Sequence, residues 1–214
     1  MKIAIDGPAG SGKSCVASGL AKRLGYVYID TGSMYRALAW KAHKSRINIY
    51  DDSQLNSLIK ETHFSLSEGK LIMDGEPLNC EIRKAIISKK SSEIAKLEPV
   101  RNFLTVEQRE LAERNDVVME GRDIGTVVLQ NSEYKFFLDA SKEERARRRL
   151  KQMKSMGLEG SYNEILQEII DRDNNDSSRS LAPLKPAEDA IRIDTTNLTI
   201  TQVIETILFL VVYE

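Results

Sequence analysis

The chain has 214 residues, 41% hydrophobic and 29% charged, which is the size and composition of one globular domain or one core with small additions. Lys and Arg total 31 against 32 Asp and Glu, a net charge of −1, which argues against a polybasic nucleic-acid binder and against a disordered chain. Cys15 and Cys80 stand 65 positions apart with no Cys or His nearby, so neither a disulfide framework nor a zinc site is expected, and a reducing cytoplasm is.

Lys2 to Asp6 reads as a short buried strand, and its apolar stretch is too short for a signal peptide. Gly7-Pro8-Ala9-Gly10-Ser11-Gly12 is a loop. Lys13 to Leu24 carries Val16, Leu20 and Leu24 at helical spacing, with Gly25 as a stop. Tyr26 to Ile29 is a second strand, running into Asp30-Thr31-Gly32. Ser33 to Lys44 and Ser53 to Thr62 are predicted helices. Residues 63–80 then change texture: short alternating runs meet at Glu68-Gly69 and Asp74-Gly75, the pattern of an antiparallel meander inserted in the chain.

Val100 to Arg114 is a charged helix, and Asp116 to Met119 a strand leading into Glu120-Gly121-Arg122-Asp123. Thr126 to Leu129 is apolar, and Lys135 to Leu138 is another buried strand. Ser141 caps the next helix, with Glu144 completing a capping box. Tyr162 to Asp176 is helical, Ile191 to Asp194 is the last strand, and Thr199 or Thr201 opens the last helix. The apolar run Ile207 to Tyr213 has seven residues, too few to span a bilayer. Strands alternating with helices predict an α/β fold of three layers, a central parallel sheet covered on both faces, with ligands at the carboxyl ends of the strands.

Gly7, Pro8, Ala9, Gly10, Ser11, Gly12, Lys13 and Ser14 satisfy G-x-x-x-x-G-K-[ST], placed after a strand and at the start of a helix. Glycines let main-chain N–H groups converge on phosphate oxygens, and the helix start adds a positive dipole end. Lys13 would reach the β and γ phosphates and the Ser14 hydroxyl would ligate Mg²⁺. No Asn-Lys-x-Asp for guanine is present, and a motor would need a longer chain. Small-molecule kinases and switch-like binding modules remain.

Residues 141–154 hold seven basic residues against two acidic, a local charge of +5. Beside a phosphate loop, such a segment suits a lid over about 142–162, in which Arg145 and Arg149 neutralise charge on the transferring phosphate, with Gly157 and Gly160 as hinges. A solvated face or an RNA patch is the plainer alternative.

Ile5 to Ser14, Asp30-Thr31-Gly32-Ser33-Met34-Tyr35-Arg36, Glu81-Ile82-Arg83, Glu120 to Val128, Phe137 to Ser141, Arg172-Asp173 through Arg179, and Ala182-Pro183-Leu184 follow in order across nearly the whole chain. On these stretches the chain resembles the bacterial cytidylate kinases, members of the nucleoside monophosphate kinase group. The resemblance implies phosphoryl transfer from ATP to CMP or dCMP with Mg²⁺, in a cytoplasmic monomer with no nucleic-acid or membrane partner. It implies a P-loop core of residues 1–35 and 99–214, and a monophosphate-binding domain of 36–98. It gives Arg36, Arg122 and Arg179 to the acceptor phosphate, with Arg122 also catalytic. Ser92, Arg101 and Asp123 would read cytosine, while Tyr35, Arg172 and Asp176 would lie at the ribose. Thr31 keeps a hydroxyl where relatives often have Ser, and Glu120 a carboxylate where many have Asp. Shikimate or dephospho-coenzyme A kinases would lack both the meander and Gly-Arg-Asp-Ile-Gly-Thr.

Overall fold

The structure is a computed structural model that describes residues 1–155, 157, 159–179 and 181–213. Met156 and Leu158, inside the expected lid, lie outside the described residues. The elements in chain order are β1 (Lys2–Asp6), α1 (Lys13–Leu24), β2 (Val27–Asp30), α2 (Thr31–Lys44), α3 (Asp52–Lys60), β3 (Phe64–Ser67), β4 (Lys70–Met73), β5 (Glu76–Pro77), α4 (Ala85–Ile94) and α5 (Glu98–Glu113). They continue with β6 (Val117–Gly121), β7 (Tyr134–Asp139), α6 (Lys142–Ser155), α7 (Tyr162–Ser177), β8 (Ile191–Asp194) and α8 (Ile200–Tyr213). A 3₁₀ turn covers Cys80–Arg83 and a π-helical turn Ile124–Val128.

A five-stranded sheet runs in the order β2-β6-β1-β7-β8, and a three-stranded antiparallel sheet in the order β3-β4-β5. β1 pairs in parallel with β7, Ile3 opposite Tyr134 through Asp6 opposite Phe137, and β7 pairs in parallel with β8. Ile3, Ile5, Val117, Val118, Met119, Phe136 and Leu138 are all buried, as expected of strands covered on both faces. α8 lies on α1 so closely that a methyl on Gly19 would meet Ile204 Cδ1 at 2.5 Å. None of the described helices is long and apolar enough to cross a membrane.

By contacts the chain divides into two compact units, Met1–Tyr26 with Val118–Glu214, and Val27–Val117. The first holds β1, β7 and β8 with α1, α6, α7 and α8. The second holds α2 to α5 and the meander, with Glu107 accepting from the Phe64 N–H at 2.8 Å and Lys41 paired to Asp74 at 2.7 Å.

Several local outcomes differ from the sequence reading. α2 starts two residues early because Asp30 caps it, accepting from the Ser33 N–H at 2.9 Å. α5 begins at Glu98 because Pro99 is tolerated in a first turn. α4 was not anticipated; its one buried stripe of Ile87, Ser91 and Ile94 sits among Lys and Ser residues that blur the helical period. The capping box at α6 is half made. Ser141 Oγ accepts from the Glu144 N–H at 3.2 Å, but the Glu144 carboxylate pairs with Arg147 and Arg148 instead. Cys15 and Cys80 are free and exposed.

Candidate active site

In the first unit the phosphate loop follows β1, a strand interior to its sheet. The β1–β7 register sets Gly7 against Leu138, where a Cβ would lie 2.0 Å from the Leu138 carbonyl oxygen, at a φ of +147°. Only glycine fits there. Gly10, at φ +81°, would place a Cβ 3.1 Å from Arg145 Cβ, so the loop rests directly on α6. Gly12 precedes α1 in left-handed conformation and contributes no side chain to the helix start.

Lys13, although it stands at the mouth of a glycine-rich loop, is only 4% exposed. Its Nζ donates to the Pro8 carbonyl at 2.7 Å and lies 3.5 Å from Ser11 Oγ. Burial, and next the charge of Arg122, lower its pKa to about 7, against an opposing pull from Glu120. Asp6 moves the other way, up to about 6, because burial outweighs the two main-chain N–H groups it binds. Ser14 is exposed on the first turn of α1. Glu120 and Asp123, at the end of β6 and just beyond, are buried.

The arginines sort into distinct settings. In the first unit, Asp176 is buried and gathers three of them: Arg122 Nε at 3.1 Å, Arg172 Nε at 4.0 Å, and Arg179 Nη2. Arg179 Nε is buried and has no hydrogen-bond partner among the described residues. Arg145, 3% exposed, is spent on protein: Nε donates to Ala140 O at 3.0 Å, Nη1 to Ala9 O at 3.0 Å, and Nη1 and Nη2 grip Asp173 at 3.1 and 2.6 Å. Arg149 is exposed and donates to Gln152 at 2.9 Å. Arg148, not singled out from the sequence, donates to Thr195 Oγ1 at 3.0 Å and lies 3.8 Å from where a Gly12 Cβ would stand. Asp173 was also missed as a partner, although its place three residues before Asp176 puts both acids on adjoining positions of α7.

In the second unit, Arg36 Nη2 donates to Asp30 at 2.9 Å and to Ser33 Oγ at 2.7 Å, while its Nε is buried without a partner among the described residues. Arg101 is buried, donates to Ala95 O at 3.2 Å, and places its guanidinium 5.9 Å from the Tyr35 ring centre. Ser92 Oγ donates to Ser88 O at 3.3 Å, and Thr31 is buried at the start of α2. Two arginines with buried, unmatched Nε–H groups are suited to an anion, since an orphaned buried donor is unfavourable until something accepts from it.

Sheet order, loop and buried lysine define the class: a P-loop nucleotide-binding fold. Over its full length the chain is similar to shikimate kinase from Bacteroides thetaiotaomicron, with a TM-score of 0.50 and 14% identity over 99% of this chain and 98% of that one, a likeness of fold alone. Residues 3–212 match the family described as Cytidylate kinase. The cytidylate kinase of Caldanaerobacter subterraneus subsp. tengcongensis is 50% identical over 205 residues, 96% of this chain and 92% of that protein. That of Thermosipho melanesiensis is 50% identical over 207 residues, 97% and 94% of the two chains. The chain belongs to the cytidylate kinase family.

Proposed function

We propose that the protein transfers the γ-phosphoryl group of ATP to CMP or dCMP, giving ADP with CDP or dCDP. The observation that carries this reading is the Arg122–Asp176–Arg179 cluster in the same unit as a P-loop whose lysine is buried, in a chain of the cytidylate kinase family. One oxygen of the acceptor phosphate forms the new bond to Pγ as the bond from Pγ to the β–γ bridging oxygen breaks. That oxygen is already anionic, so no general base is required, and the protein's work is positioning and neutralising charge.

Lys13 leaves the Pro8 carbonyl for the β and γ oxygens of ATP, drawn by a far stronger acceptor. Arg36, Arg122 and Arg179 take the acceptor phosphate, with Arg122 also bearing on the transferring group. The ribose falls to Tyr35, Arg172 and Asp176, with Thr31 a lesser polar contact, and Ser92, Arg101 and Asp123 read the cytosine edge. Bound to ATP as part of the substrate, Mg²⁺ would supply positive charge against the phosphate oxygens. The Ser14 hydroxyl is the protein oxygen offered to it, with the Glu120 carboxylate on the neighbouring strand, and such hard oxygens suit this ion.

Residues 142–162 serve as the lid that excludes water, the competing acceptor; its proposed catalytic arginines are Arg149, exposed and free to swing with the closing part, and Arg145, which acts from the fixed base of the lid beside the Ala9 carbonyl of the phosphate loop. On this reading 36–98 is the monophosphate-binding domain, and the enzyme is a cytoplasmic monomer acting on free nucleotides, with no nucleic-acid or membrane partner.

A coupled assay of ADP release over a panel of acceptors tests the reading. CMP and dCMP should turn over, while UMP, AMP and shikimate should lag far behind. Equal use of UMP or AMP would overturn the base assignment. ATP binding without turnover of any monophosphate would favour a regulatory module.

A further inference from the structure

Asp6 ends β1 directly before the phosphate loop, and the mechanism above gives it no task. Its carboxylate is 4% exposed. Oδ1 accepts the Ile124 N–H and Oδ2 the Gly125 N–H, each at 2.8 Å. The carbonyl of Asp123 accepts from the Val127 and Val128 N–H groups at 2.9 and 3.2 Å. The peptide leaving Asp123 is therefore held at both ends, its N–H by Asp6 and its carbonyl by the π-helical turn. The approach is close: a methyl on Gly125 would stand 3.5 Å from Asp6 Oδ2 and 3.1 Å from Lys135 Cδ. Lys135 is in turn fixed by Asp189 at 2.5 Å.

A buried strand end has no need of a carboxylate, and burial disfavours the charged form, as the raised pKa of Asp6 shows. What a carboxylate alone supplies here is two acceptor oxygens for two neighbouring N–H groups. Asparagine has one, and its NH₂ would confront the second donor.

We propose that Asp6 is a positioning residue for recognition of the acceptor base: by holding the Ile124 and Gly125 amides it sets the main chain at Asp123, and with it the aim of the Asp123 carboxylate. It also ties that aim to the strand carrying the donor loop. The proposal rests on the reading of the chain as a CMP kinase in which Asp123 faces the cytosine amine.

The test compares wild type with Asp6→Asn and Gly125→Ala, which disturbs the same contact from the other side. Thermal unfolding and steady-state kinetics are measured with CMP, UMP and ATP each varied. Asp6→Asn should raise the KM for CMP roughly tenfold and narrow the CMP-to-UMP ratio of kcat/KM by a similar factor, the size expected from one misplaced buried hydrogen bond. The KM for ATP should stay within about threefold. Gly125→Ala should move the same constants in the same direction, and it carries the test if Asp6→Asn does not fold. Unchanged CMP KM and base ratio, whatever the unfolding temperature, would overturn the proposal. So would equal losses toward ATP and CMP, which mark general damage to the core. A wild-type enzyme that ignores CMP would overturn the kinase reading itself and the proposal with it.

Discussion

Lys13 is held away from water with the Pro8 carbonyl as its nearest acceptor, and its pKa of about 7 leaves it half charged near neutrality. Phosphate oxygens stabilise the ammonium, so nucleotide binding raises that pKa and draws in a proton. The sign fixes the window. Below about pH 6 the free enzyme already carries the proton and uptake is small, whereas by about pH 8 uptake approaches one proton per nucleotide. Calorimetry of Mg·ATP binding in buffers of different ionisation enthalpy should show this rise, and Lys13→Met should abolish it. The same charge neutralises the transferring group, so Lys13→Ala should lower kcat roughly 10²-fold or more, about 3 kcal/mol of barrier. Its ligand-free fold should survive, because the substitution removes a buried charge whose desolvation is unfavourable. A Lys13→Ala enzyme of near-full turnover would remove the P-loop from the mechanism.

At the scale of elements, α6 and α7 form a hairpin with a small core of Ala146, Ile165 and Ile169, flanked by Leu150, Met153, Tyr162 and Leu166. Its base is locked. Arg145 reaches Asp173 and the Ala9 carbonyl, and Arg148 reaches Thr195, whereas Arg149 and Arg147 lie exposed. A lid hinged on this base would close through its far end. Hydrogen exchange with a bisubstrate analogue should therefore slow across 149–162 and change little across 142–148, which Arg145 and Arg148 already tie to the protein. Uniform exchange with and without the analogue would leave α6 a plain surface helix. Asp173→Asn removes one partner of a buried, doubly hydrogen-bonded pair and should lower stability by about 3 kcal/mol or more, read from urea unfolding. A change under about 1 kcal/mol would mean the pair is no anchor.

Base choice draws on residues far apart in the chain: its proposed readers are Ser92, Arg101 and Asp123. Cytosine presents an amine donor at position 4 and an acceptor at N3, and uracil reverses both. An ionised Asp123 would meet uracil O4 with no proton between them, and an arginine aimed at N3 would meet a donor. Two such mismatches at about 1–3 kcal/mol each predict CMP over UMP by roughly 10²-fold or more in kcat/KM. Asp123→Ala should cut CMP turnover steeply and narrow that ratio. A variant that kept the full preference would take base reading away from Asp123.

The phosphate loop, the order of strands and helices apart from α4, the meander and the helix stop at Gly25 were legible in the sequence. Each is encoded within a few neighbouring residues, through glycine spacing, turn dipeptides and apolar period. Tertiary structure alone decided what the charged residues do. Seven basic residues in one segment look equivalent as text. Yet one is buried against an acid 28 positions away, one is pinned beside the phosphate loop, and one is in water. Likewise Arg122 finds Asp176 across 54 positions, and Asp6 finds Ile124 across 118. A charge takes its role from the partner and the dielectric around it. Both are set by chain segments that only folding brings together, so spacing along the sequence carries no record of them.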